Sequence, residues 1–189
     1  MSSLIANIHR MSNPELIGLA KNRFLPGSVQ LAVAETGYRR AQEYLAENEG
    51  LQPSVRDYLW SDKVNRGYTL KTALVASGQY QDAPEKYWEL YNRYPKMWNR
   101  SKWRARQCFI GIWSWRNPGG AHTPTDLLHE IYEKHLKNDS NTNDWANRTS
   151  LIGLAQHQNC DLKLAIMLST CGNDMVEKRA FEKIVELSK

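Results

Sequence analysis

The chain has 189 residues, 41% of them hydrophobic and 24% charged, with a net charge of +5 and a pI near 9.1. That length suits one domain with a real core, 1–189, and the balance of apolar and charged residues excludes wholesale disorder. No run approaches the roughly 18 apolar residues of a membrane span and no signal-like leader is present, so a soluble, cytoplasmic protein without a membrane partner is expected. Cys108, Cys160 and Cys171 are widely spaced, each in or beside an apolar run, and read as reduced thiols in a reducing compartment rather than a disulfide framework.

Strand signals are nearly absent, whereas helix punctuation is dense. Ser3 to Met11 is a short amphipathic start, and Ser12-Asn13-Pro14-Glu15 forms a capping box that opens Leu16 to Asn22. Pro26-Gly27-Ser28 breaks the chain before Val29 to Thr36, and Gly37 stops that helix. Tyr38 to Asn48 follows, with Arg39 and Glu43 one turn apart. Pro53 opens Val55 to Asp62, a turn at Asn65-Arg66-Gly67 precedes Tyr68 to Ser77, and Gly78 ends it. Ala83-Pro84 begins an aromatic helix that Tyr94-Pro95 terminates, because the residue before a proline is disfavoured in helical geometry.

The segment Arg93 to Arg116 then stands apart. It carries seven basic residues and four of the seven tryptophans, and no acid occurs between Glu89 and Asp126. Ser101 caps a predicted helix from Lys102 to Trp115, basic in its first half and apolar nearly all round from Cys108 onward, so the second half is expected to be a buried anchor. Asn117-Pro118-Gly119-Gly120 breaks the chain, and Thr123-Pro124-Thr125-Asp126 restarts a helix to Lys137. The polar tract Asn138 to Asp144 is a predicted loop, and helices over Trp145 to Gln156, Leu162 to Cys171 and Asp174 to Leu187 close the chain.

The chain is self-similar. Leu16 to Ala20 and Leu151 to Ala155 both read LIGLA, and the same offset sets Gly37 opposite Gly172. At a spacing of about 26 residues, Leu19-Ala20-x-Asn22 matches Leu45-Ala46-x-Asn48 and Ser28-Val29 matches Ser54-Val55. On these residues the chain resembles the HEAT-like and variant leucine-rich α-solenoid families over roughly 14–80 and 145–182, with the segment 93–116 departing from the pattern. The fold expected is therefore all-α, with short helical hairpins stacked as a HEAT-like solenoid or packed as a compact helical bundle.

No catalytic, metal or cofactor motif stands out. His157, Cys160 and Cys171, or His129 and His135, do not make a four-ligand set, and Gly119-Gly120 lacks the Lys and Ser/Thr of a phosphate loop. The candidate partner-binding residues are Lys96, Trp98, Arg100, Lys102, Trp103, Arg104 and Arg106. Arginine and tryptophan make planar, bidentate, low-entropy contacts, so an acidic protein partner is the leading expectation for a non-enzymatic interaction protein. DNA or RNA is the alternative, because Lys102 and Arg106 lie one turn apart and such a spacing can follow phosphates. A homo-oligomer is also open, through an acidic patch at Glu130 and Glu133. Resemblance to HEAT-repeat DNA glycosylases supplies a third reading, with Trp98, Trp103 and Arg106 facing DNA and Asp144 as the acid.

Overall fold

The computed structural model describes residues 2–64, 68–95, 102–111, 122–137 and 145–189, the side chains of 2, 3, 102–104 and 107 excepted. Every regular element among them is helical. Contacts cluster in two compact units, Met1–Gln79 and Tyr80–Lys189, which are taken in turn.

The first unit opens with α1 (Ser2–Asn7) and a 3-10 turn (Ile8–Arg10), followed by α2 (Asn13–Ala20), α3 (Gly27–Glu35), α4 (Arg39–Ala46), α5 (Pro53–Trp60) and α6 (Thr69–Ala76). The expected capping box forms: Glu15 accepts from the Ser12 backbone N–H at 2.8 Å and from its hydroxyl at 2.6 Å. Arg39 meets Glu43 at 3.2 Å across one turn of α4. Gly37 and Gly78 take φ of 71° and 74°, a left-handed conformation that ends α3 and α6 at little cost only for glycine.

These helices are too short to be stable alone, so packing must hold them. Alternate helices pack in series: α2 on α4, α4 on α6, and α3 on α5, while sequence neighbours also touch. Val29, Val33, Ala41, Leu45, Val55, Leu59 and Leu74 are fully buried between them. Each such aliphatic side chain beyond alanine contributes roughly 1.5–3 kcal/mol of burial.

Polar rungs tie the layers together where helices end and their last carbonyls lack partners. Asn48 donates from Nδ2 to the Ala20 carbonyl at 2.7 Å, and Ser77 Oγ donates to the Ala46 carbonyl at 2.6 Å. Thus the final carbonyls of α2 and α4, 26 positions apart, are each capped from the next pair of helices. Gln30, fully buried, donates to the Leu25 and Gly50 carbonyls at 2.9 and 2.8 Å and accepts from the Gln52 N–H at 3.0 Å. Gly50 also lies close against the Arg23 backbone, where a Cβ would stand 1.9 Å from the carbonyl oxygen. Lys71, 1% exposed, is neutralised by Asp62 at 2.8 Å and lies 5.3 Å from the Trp60 ring centre.

The second unit comprises α7 (Pro84–Arg93), α8 (Lys102–Ile110), α9 (Thr125–Ile131), α10 (Trp145–Gln156), α11 (Leu162–Leu168) and α12 (Asp174–Leu187). Tyr91 of α7 packs edge-on against Phe109 of α8 at 6.0 Å, and the buried Thr123 hydroxyl donates to the Phe109 carbonyl at 2.7 Å. The helix predicted as Lys102 to Trp115 departs from expectation at Gly111, whose φ of 74° turns the chain out of helical geometry immediately after Ile110. Ile110 and Ile112 flank Gly111, so apolar periodicity continues across the stop. Trp113 and Trp115 lie outside the described residues.

A second departure follows α9. Tyr132–Leu136 is wound as a π turn, closed by the Lys137 N–H on the Tyr132 carbonyl at 2.8 Å. The last three helices then match α2 to α4 at an offset of 135 residues. N-caps Pro26 and Tyr38 correspond to Asp161 and Asn173, and Gly37 corresponds to Gly172, with φ of 81°. Leu16, Ala20 and Val33 are buried, as are Leu151, Ala155 and Leu168. The contacts correspond as well, with the first and third helix of each trio packed together and the second against the third.

Candidate binding sites

The basic run enters the second unit through α8. Ala105 and Phe109 are fully buried and Cys108 and Ile110 nearly so, which fixes the C-terminal half of that helix in the core, as its apolar composition predicts. Burial pushes the Cys108 thiol well above its ordinary range, so it stays protonated and inert. Of the predicted partner-binding residues, Lys96, Trp98 and Arg100 lie outside the described residues. Lys102, Trp103 and Arg104 occupy the first turn of α8, where only the backbone is described. Arg106 is only 6% exposed. It points inward with Ala105 and Cys108, so it offers almost no surface to a partner and supports the helix from within.

Glu89, Glu130 and Glu133 of the second unit pair with cations three or four residues away in sequence. Glu89 pairs with Lys86 at 3.0 Å and Arg93 at 3.9 Å, Glu130 pairs with Lys134, and Glu133 holds Lys137 at 2.9 Å. The acidic patch proposed for self-association is therefore already partly neutralised by its own lysines. Asp144, considered as a catalytic acid, lies outside the described residues. Among the described residues no group of three or more His, Cys, Asp and Glu side chains converges as a metal site. His129 instead meets Asp161 at 2.9 Å, and Asp161 also caps α11 by accepting from the Leu164 N–H at 2.8 Å. Nor is any described helix long and apolar enough to cross a membrane.

The second unit also holds a recess that sequence reading did not anticipate. About 380 Å³ in volume, it lies between the π turn, α10 and the end of α11. Tyr132, Leu136 and Leu151, all at most 6% exposed, form an apolar floor. Lys137, Met167, Thr170 and Cys171 complete its lining. Burial raises both the Tyr132 phenol and the Cys171 thiol above their ordinary values. Lys137, tied to Glu133, is raised as well and stays cationic.

The π turn that shapes this recess is braced from behind. Tyr91 Oη and His135 Nε2 are 3.0 Å apart, with their rings edge to face at 5.9 Å. Burial, with the Lys134 charge adding to it, holds His135 below the usual histidine range. Desolvation pushes Tyr91 up to about 12. Nothing in the sequence signals this turn: Leu128, Tyr132 and Leu136 recur every fourth residue, as a regular helix would require.

In sequence the basic run precedes this buried anchor, and other helices of the same unit form a small recess with one cation at its edge. Compared with protein-family models, curated proteins and solved structures, the chain finds no match.

Proposed function

We propose that this chain is a non-enzymatic, all-α interaction protein whose HEAT-like stacked hairpins carry a basic segment, Lys96 to Arg104, to an acidic protein partner. The observation that supports this most is the anchoring of α8: its end is fixed by Cys108, Phe109 and Ile110 while the acid-free run leads into it. Glu89, Glu130 and Glu133 are already engaged by cations three or four residues away in sequence. The serial packing of α2, α4 and α6, with α3 on α5, supports a stacked rather than a bundled scaffold. The three free thiols support a reducing, cytoplasmic setting.

The test is a pull-down from nuclease-treated and untreated lysate with the wild type and an Arg100→Glu/Lys102→Glu/Arg104→Glu variant. Retention of the same acidic proteins in both lysates, and their loss in the variant, is the expected result. Partners unchanged by charge reversal would refute the assignment. Capture that vanishes with nuclease and weakens steeply with salt would move it to nucleic acid. Arg106→Gln serves as a control, expected to lower stability rather than to remove a surface contact.

A further inference from the structure

We propose that the recess beside the π turn is a binding site for a small, largely apolar carboxylate. Its volume of about 380 Å³ falls at the low end of ligand pockets, which run from about 300 to 1,000 Å³, so it suits a bicyclic aromatic or a short acyl chain rather than a nucleotide. The floor is apolar: Leu136 and Leu151, each 1% exposed, and Tyr132, 6% exposed, lie beneath the opening.

The lining fixes the sign of the ligand. Lys137 is the one charged residue among the seven that line the recess, and its partner Glu133 is not one of them. Its ammonium already gives Glu133 two contacts, at 2.9 and 3.1 Å, on the exposed side. An ammonium has three donors, so a ligand carboxylate can share it at the mouth, and the Thr170 hydroxyl, which donates to the Met167 carbonyl at a long 3.4 Å, can rotate to become a second donor.

The backbone supports the same reading. A π turn interrupts the regular helix where its residues meet the recess, a distortion that recurs at functional sites because it costs helical hydrogen-bond geometry. Here the wider wrap brings Tyr132, Leu136 and Lys137 to one opening. Opposite them, α11 ends at Leu168, and the chain passes through Thr170 and Cys171 before Gly172 turns it at a φ of 81°. The site uses none of the residues from 96 to 106, so it stands or falls separately from the basic segment.

The full chain is titrated with sodium 1-naphthoate and, in parallel, with uncharged 1-naphthalenemethanol, by calorimetry and by the rate at which a thiol reagent labels Cys171. Cys171 is the one partly exposed cysteine of the three and sits in the wall, so it reports occupancy directly. Expected are saturable naphthoate binding, at least fivefold slower labelling when bound, and about tenfold weaker binding for Lys137→Gln or for the alcohol. Thr170→Trp, at an exposed rim position that leaves the core intact, is expected to block both effects. Absence of saturable binding, or binding that survives Thr170→Trp with circular dichroism unchanged, overturns the site. Equal affinity for acid and alcohol, unaltered by Lys137→Gln, overturns the carboxylate assignment.

Discussion

Asn48→Ala is the sharpest test of how the first unit is held together. The side chain is 5% exposed and makes two bonds, Nδ2 to the Ala20 carbonyl at 2.7 Å and Oδ1 from the Gly50 N–H at 2.8 Å. Alanine leaves a helix-terminal carbonyl and a turn N–H without these partners. Each unsatisfied buried group costs about 1–3 kcal/mol, so the pair predicts a loss of about 2–4 kcal/mol, with water recovering part of the Gly50 bond. At a urea slope of about 1–3 kcal/mol per molar, the far-ultraviolet dichroism midpoint of the first unit should fall by ~1–2 M. Asn48→Asp separates the two bonds. It keeps an acceptor for Gly50 but turns a carboxylate toward the Ala20 carbonyl, so it must be no more stable than Asn48→Ala. An Asp variant within about 0.5 kcal/mol of wild type would refute the role given to the Ala20 rung, since that is the size of a neutral surface change.

Gly50→Ala should cost ~1–3 kcal/mol by overpacking, because the new methyl would stand 1.9 Å from the Arg23 carbonyl, and thermal unfolding measures it. Gly18→Ala is the opposite case: α2 leaves 4 Å of open space there, so the melting temperature should rise with ~0.5–1 kcal/mol of added helix stability. Gly37→Ala has equal room but a φ of 71°, and should destabilise by about 1–2 kcal/mol through backbone strain alone. For His135, whose folded pKa lies below its unfolded value, the unfolded chain binds more protons in the window between them, so stability rises with pH. That contribution is complete above about pH 6.5 and is lost as pH falls from there through the lowered folded value. Urea midpoints between pH 7.5 and 5 should therefore fall more steeply with acid than those of His135→Gln, and identical profiles would exclude the buried His135 as the source of the pH dependence.

Much of the helix pattern is legible from punctuation. Proline, glycine and capping residues act within a few positions of themselves, so the capping box at Ser12 and the stops at Gly37 and Gly78 form as read. Trp145–Gln156 and Asp174–Leu187 likewise fall where periodicity and flanking breaks put them. What escaped depends on tertiary geometry. Gly111 lies in an apolar run where a stop and a continuing helix look alike, and the π turn keeps a fourfold recurrence of apolar residues. Arg106 shares its charge with Arg104 and Lys102, yet its place beside Ala105 and Cys108 puts it inside. The recess gathers side chains from the π turn, α10 and the end of α11, and no local pattern encodes such a meeting.

The rungs at Ala20 and Ala46 give the first unit a direction. Each helix that ends at such a carbonyl is finished by a residue that comes later in the chain, Asn48 in one case and Ser77 in the other. Truncation from the C-terminal side is therefore expected to undo the layers one at a time, α4 losing its cap before α2 does. Removal of α1 leaves both caps in place. The same asymmetry makes a 26-residue insertion between layers tolerable in principle, because a copied segment brings with it the side chain that closes its predecessor.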